Sequence, residues 1–289
     1  MSERCAELSE AAGESLVATA VTARVWLLLE VPGSWPRDVG DEGVLPEEAQ
    51  RAVATWLAET PGSRLQFLRR PRRRHASNTG APVAFVLRAE EGQQDVRRIE
   101  LGRYEELASL DLGSAGQVVE RSFVLVCGHG SRDRCCALRG AGVFAALADR
   151  LDEEQLWMSS HQGGHRFAAN VLVLPLGLQF GRVEAGEAPY LVARALGGRI
   201  ELERYRGRTC YEPAVQAAEH AVRTAASLDG AEDLRLIARE DDRVRFRAWD
   251  GAEWTALVAQ VDGPSVAPSC EAAPAPQRAF RTRVLEPTT

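Results

Sequence analysis

The sequence predicts an α/β protein of two similar halves followed by a small α+β appendage. Three observations carry this reading. Short apolar, β-prone runs alternate with amphipathic helical stretches up to about residue 200. The order β-α-β-β-β-α occurs twice in that span. Beyond it, a single helix is followed only by strands.

In the first half (1–118), residues 22–30 are apolar and read as a strand. Residues 46–59 carry apolar side chains at Ala49, Val53, Trp56 and Leu57, a helical spacing, and Pro46 suits a helix start. Strands at 64–68, 83–88 and 95–101 and a short helix at 104–110 complete it. In the second half (119–200), 123–126 is a buried-type strand and 137–151 an amphipathic helix. Strands at 156–159, 170–175 and 179–183 and a helix at 188–196 follow. This is the layout of a thioredoxin-like unit, so two thioredoxin-like halves are expected. The appendage (201–289) holds a helix at 212–227 and strands at 233–238, 244–249, 253–261 and 278–285, interrupted by a Pro-rich link at 264–276. Trp26, Trp56 and Trp157 fall on apolar faces and are expected in the core.

Hydrophobic residues make up 45% of the 289, enough for a sizeable core. The formal net charge of −6 argues against a general nucleic-acid binder. Apolar runs such as 25–29 and 143–148 fall far short of a membrane span. No signal peptide is visible at the N-terminus. A soluble, cytoplasmic protein with neither nucleic-acid nor membrane partners is expected. All 35 basic residues are arginine, which GC-rich coding explains. The run Arg69-Arg70-Pro71-Arg72-Arg73-Arg74 therefore reads as a solvated loop before it reads as a docking site for an acidic partner.

The chemistry concentrates in two segments. Residues 123–136 read Phe-Val-Leu-Val-Cys-Gly-His-Gly-Ser-Arg-Asp-Arg-Cys-Cys. A strand ends at Cys127, a polar loop follows, and Cys135 and Cys136 open a helix, whose positive end favours thiolates. Residues 159–167 read Ser-Ser-His-Gln-Gly-Gly-His-Arg-Phe. Gly163-Gly164 between His161 and His165 argues for a tight loop whose backbone could approach a bulky inorganic core. Soft thiolates with imidazoles suit zinc or a 2Fe–2S cluster. The eight residues between Cys127 and Cys136 are more than a zinc finger favours. Cys5, Cys210 and Cys270 stand alone in sequence and read as core or surface thiols.

The string Cys-Gly-His-Gly-Ser-Arg-Asp-Arg-Cys-Cys, with His-Gln-Gly-Gly-His-Arg-Phe-Ala-Ala-Asn and Leu-Pro-Leu-Gly-Leu-Gln-Phe-Gly-Arg, resembles the sucrase/ferredoxin-like family. The likeness extends to Trp26-Leu27-Leu28-Leu29-Glu30-Val31-Pro32-Gly33 and to Thr209-Cys210-Tyr211-Glu212-Pro213-Ala214-Val215-Gln216. The resemblance implies a thioredoxin-like ferredoxin fold and a 2Fe–2S cluster, which fungal members hold with two Cys and two His. Matched motif to motif, the ligands fall on Cys127, Cys136, His161 and His165. Cys135 is the weaker of the adjacent pair. His129 and Asp133, with Arg132, are expected to order the loop. Arg166 is expected to neutralise local charge or face a partner. The first half, with one Cys and one His, is expected to buttress the second.

This leads to an expected electron carrier more than a catalyst, with enzyme status left open and an unidentified redox protein as donor or acceptor. Nothing resembles the paired carboxylates of a glycosidase. Two other readings stand beside it. One is a structural or regulatory Cys2His2 zinc site. The other is a thiol oxidoreductase using Cys127, Cys135 or Cys136, against which there is no Cys-x-x-Cys.

Overall fold

The computed structural model describes residues 4–40, 43–70 and 81–287. Arg72, Arg73, Arg74 and His75 lie outside the described residues. In chain order the elements are α1 (Cys5–Ala11), β1 (Val25–Glu30), α2 (Glu47–Glu59), β2 (Ser63–Arg69), β3 (Val83–Glu90), β4 (Gln93–Glu100), a 3-10 turn (Tyr104–Ser109) and β5 (Gln117–Val118). Then come β6 (Phe123–Cys127), α3 (Arg134–Ala148), β7 (Leu156–Ser159), a 3-10 turn (His165–Phe167), β8 (Val171–Leu174), β9 (Leu178–Phe180), α4 (Ala188–Leu196) and β10 (Tyr205–Arg208). The chain closes with α5 (Pro213–Ala226), β11 (Leu234–Glu240), β12 (Arg243–Ala248), β13 (Glu253–Val266) and β14 (Ala275–Val284).

The protein is a mixed α/β structure with a ten-stranded sheet, ordered β10-β9-β8-β6-β7-β2-β1-β3-β4-β5, and a four-stranded antiparallel sheet, β11-β12-β13-β14. The large sheet contains one pattern twice. In each half the first strand pairs in parallel with the second and antiparallel with the third, and the fourth pairs antiparallel with the third. The halves meet at a short antiparallel seam, where Leu68 opposes Ser159 and Arg69 opposes Met158.

The seam lets the two half-sheets fold over each other. Phe85 on β3 and Phe123 on β6 are four strands apart in the sheet, which would separate them by about 19 Å if it were flat. Their ring centroids lie 4.7 Å apart. Side-chain alternation explains how both faces are filled. Trp26 and Leu28 of β1 share one buried layer with Phe123 and Leu125 of β6, and also with Trp157. The intervening Leu27 and Leu29 pack against Ala49 and Val53 of α2. Val124 and Val126 pack against Val143, Phe144 and Leu147 of α3. The core is thus helix, half-sheet, half-sheet, helix. Trp26 and Trp157 are fully buried, and Trp56 is half-buried.

Several boundaries depart from the sequence expectation. The helix expected at 137–151 begins at Arg134, because the Asp133 side chain accepts the Cys135 N–H at 2.8 Å and caps it. The helix expected at 104–110 is a 3-10 turn. The first strand starts three residues late, at Val25. Four elements were not expected: α1, β5, the 3-10 turn at His165–Phe167 and β10. Strand β10 lies after residue 200 yet pairs with β9 at the edge of the large sheet. Its charged residues Arg206 and Arg208 are buried, which conceals the strand from hydrophobic patterning. Helix α5 packs Val215, Ala218 and Val222 against Val244, Phe246 and Ala256 of the small sheet. Among the described residues, no helix is long and apolar enough to cross a membrane.

Candidate metal centre

The centre forms where β6 and β7 end side by side. Cys127 is the last residue of β6, and its N–H donates to Asn170 O at 3.0 Å. The chain turns through 128–133, with Asp133 N–H donating to His129 O at 3.2 Å, and enters α3. Helix α3 then crosses directly over the strand end. A Cβ at Gly140 would lie 2.1 Å from Cys127 O, so only glycine permits this approach. Gly140→Ala should therefore force α3 away from β6 and cost about 1–3 kcal/mol by overpacking. At Gly142, two residues on, a Cβ meets only Ala185 Cβ at 3.8 Å. Gly142→Ala should raise stability by up to about 1 kcal/mol through helix propensity. Denaturant midpoints of the two variants check this pair, and equal shifts would contradict the packing argument.

Cys127 Sγ, Cys136 Sγ and a His161 ring nitrogen lie within 4.8 Å of one another. Cys136 Sγ is 3.9 Å from His161 Nδ1. The Cys127 thiol is held well below its ordinary pKa, first by the hydrogen bond from Cys136, which outweighs burial. Cys136 is pushed up by the same hydrogen bond and by burial. His165 does not join this trio. Its ring stacks on His161, centroids 4.9 Å apart. Its Nε2 lies 4.0 Å from Asp133 Oδ2, and its Nδ1 is buried with no hydrogen-bond partner. Burial pushes the His165 pKa down.

His129 uses both ring nitrogens on the backbone. Nε2 meets Pro36 O at 2.7 Å, and Nδ1 accepts the His161 N–H at 3.1 Å. Its pKa is lowered by burial, consistent with a neutral ring donating at Nε2 and accepting at Nδ1. His129 thus fixes the position of the His161 backbone. Arg132 pairs with Asp38. Arg166 turns away from the trio, and its Nε lies 2.9 Å from both Glu14 carboxylate oxygens.

The glycine pair adopts positive φ, 86° at Gly163 and 69° at Gly164. What crowds Gly164 is protein: a Cβ there would lie 2.5 Å from an Arg206 nitrogen and 2.8 Å from Phe167. Packing against Arg206 and Phe167 is thus what requires glycine at 164. Arg206 was not foreseen. It is fully buried and donates to Gly163 O at 3.0 Å, Asn170 Oδ1 at 2.7 Å, Thr19 Oγ1 at 3.0 Å and Thr19 O. From the other half, Arg64 donates to His161 O at 3.2 Å, and Gln66 and the Phe67 N–H both donate to Ser160 Oγ. The buried Arg206 and the half-buried Arg64 therefore brace the histidine loop from two sides. No local sequence signal marks either one.

The isolated reading of Cys5 and Cys270 is also corrected. Both converge on Cys135, forming a second group of three thiols with Asp133. Cys210 is buried within the α5 core.

The fold and the site define an α/β protein with a buried, mixed thiol–imidazole centre. A sequence profile of the sucrase/ferredoxin-like family matches residues 16–207, and the chain belongs to that family. It is 35% identical over 105 residues to the proteins named altered inheritance of mitochondria protein 32 from Saccharomyces kudriavzevii and Saccharomyces cerevisiae S288c. The match covers 32% of this chain and 34% of those relatives, so it spans about a third of their length. No solved structure matches the chain.

Proposed function

We propose that the chain is a 2Fe–2S electron-transfer protein of two thioredoxin-like halves, with Cys127, Cys136, His161 and His165 as ligands. The observation that carries the reading is the meeting of Cys127, Cys136 and His161 from three separate segments, with His165 stacked alongside. The donor set fits the group. Two thiols and two imidazoles supply four ligand atoms, and the buried Nδ1 of His165 has no hydrogen-bond partner among the described residues. The strand order second-first-third-fourth, repeated in both halves, supports the thioredoxin-like assignment.

Such a cluster supplies one reversible electron. The chain's own residues would set its stability and potential. Cys127 and Cys136 are fully buried and would hold the inner side. His161 and His165 are only partly buried and would form the edge nearest a redox partner. Neutral imidazoles replace two thiolate charges, so the added electron meets less repulsion.

Anaerobically purified protein should contain about two iron and two sulfide per chain and give a reduced-state paramagnetic signal. Its potential should lie well above the roughly −400 mV of plant-type ferredoxins, toward the roughly −150 to +300 mV range of two-His Rieske sites. Absorption, electron paramagnetic resonance and voltammetry test this. Stoichiometric zinc without sulfide, in protein from iron-replete cells, would sink the proposal.

A further inference from the structure

Cys5 opens α1, Cys135 is the second residue of α3, and Cys270 lies between β13 and β14. Their sulfurs form a nearly equilateral triangle: 3.6 Å from Cys5 to Cys135, 3.5 Å from Cys135 to Cys270 and 3.6 Å from Cys270 to Cys5. These separations are far too long for a disulfide, whose S–S bond is about 2.05 Å. The Asp133 carboxylate closes the fourth side. It lies 3.3 Å from Cys270 Sγ and 3.8 Å from Cys5 Sγ.

We propose that Cys5, Cys135, Cys270 and Asp133 form a second metal site, a tetrahedral zinc centre separate from the Cys127–Cys136–His161–His165 site. The spacing is the first support. Zn–S bonds of about 2.3 Å at tetrahedral angles put sulfurs about 3.8 Å apart, and sulfur to oxygen about 3.5 Å. The observed triangle needs to open by only about 0.2–0.3 Å to accept the ion.

Donor chemistry is the second support. Three soft thiolates and one carboxylate complete a four-coordinate, closed structural zinc site. Asp133 has spare capacity. Each carboxylate oxygen accepts one backbone N–H, Oδ1 from Cys135 at 2.8 Å and Oδ2 from Cys270 at 2.9 Å. An ionised carboxylate offers about four lone-pair positions. Those two N–H bonds also fix its direction, as partners of metal-bound carboxylates do.

Access is the third support. A cleft of about 390 Å³ opens onto Asp133 and Cys270 and is rimmed by Arg4, Arg37, Arg132, Arg134 and Glu271. It gives a metal an entry path; Arg4, Arg37 and Arg132 on its rim are ion-paired with Glu7, Glu271 and Asp38. The architecture gives such an ion a task. The three cysteines are 130 or more residues apart. One ion would pin the N-terminal helix and the β13–β14 connection onto the start of α3, beside the proposed cluster ligand Cys136.

The test is metal analysis of full-length, anaerobically purified protein made with zinc and iron supplied. Wild type should hold about one zinc per chain beside its iron. Cys5→Ser and Cys270→Ser should each lose at least about nine-tenths of the zinc and keep the iron absorption, since removing one of three thiolates opens a closed site. Zinc-edge X-ray absorption on wild type needs no variant, so it decides the matter even if the variants fold poorly. It should show three sulfurs at about 2.3 Å and one light atom. The proposal is overturned by the absence of zinc, by mass spectrometry showing two of these cysteines joined in a disulfide, or by zinc retained in both variants. A shell of two sulfurs and two nitrogens, with zinc lost on Cys127→Ser, would overturn both this proposal and the cluster. Iron lost from Cys127→Ser with zinc kept separates the two sites.

Discussion

In the proposed cluster protein, replacing Cys136 with serine should remove the iron, while replacing its neighbour Cys135 should leave it in place. The two cysteines occupy successive positions in the first turn of α3, so their side chains diverge by about 100°. Cys136 faces Cys127 and His161. Cys135 faces Cys5 and Cys270. A serine hydroxyl is a far poorer ligand for iron than a thiolate, and the site lies too deep for water to stand in. Iron and sulfide content in Cys136→Ser should fall to background. Cys135→Ser should keep both at wild-type levels. Loss in Cys135→Ser alone would show that the cluster sits on the other thiol group, and equal loss in the two variants would show that the two groups are not independent sites.

Arg206→Met should cost the fold about 3 kcal/mol or more and empty the iron site with it. Methionine fills much of the arginine volume but donates no hydrogen bond. Four acceptors, Thr19 O, Thr19 Oγ1, Gly163 O and Asn170 Oδ1, would be left without their donor in a buried place. Each such group carries about 1–3 kcal/mol of desolvation, although the losses do not add fully. The same change removes a buried positive charge beside two thiols and frees the Gly163 carbonyl, between the two histidines. Arg206→Lys should fall between wild type and Arg206→Met, since a point charge cannot reproduce the planar fork. Denaturant midpoints and iron content, measured together, check this. Wild-type values in Arg206→Met would remove Arg206 from the site.

What could be read from the sequence followed the range over which each signal acts. Strand and helix patterns are local, and the uninterrupted apolar runs of β1, β3 and β6 made those strands legible. The first candidate site was legible because Cys127, Cys136, His161 and His165 lie within forty residues of one another. Helix α1 was missed because it buries only Cys5, Ala6 and Ser9, too small a face to register as amphipathic. Strand β10 was missed because its arginines find buried acceptors that only the folded chain provides. The meeting of Cys5, Cys135 and Cys270 rests on contacts spanning almost the whole chain, so each thiol looks solitary in sequence. Arg64 and Arg206 share that invisibility in an all-arginine background, where one cation cannot be told from thirty-four others.

The seam between the half-sheets bears on how readily the centre could exchange charge. The histidine loop continues the line of β7 alongside β2, so His161 and Ser160 are held from the first half by Arg64, Gln66 and Phe67. From the second half the same loop is held by Gln179, which donates to Gln162 O, and by Arg206 on Gly163 O. A segment gripped from both flanks has little room to relax when the charge beside it changes by one. In the proposed cluster protein the nuclei would then need to rearrange less at each oxidation or reduction, because the surrounding dipoles are already in place. In such a protein the first half, which supplies none of the four proposed cluster ligands, would contribute stiffness, and stiffness would keep a one-electron exchange fast in both directions.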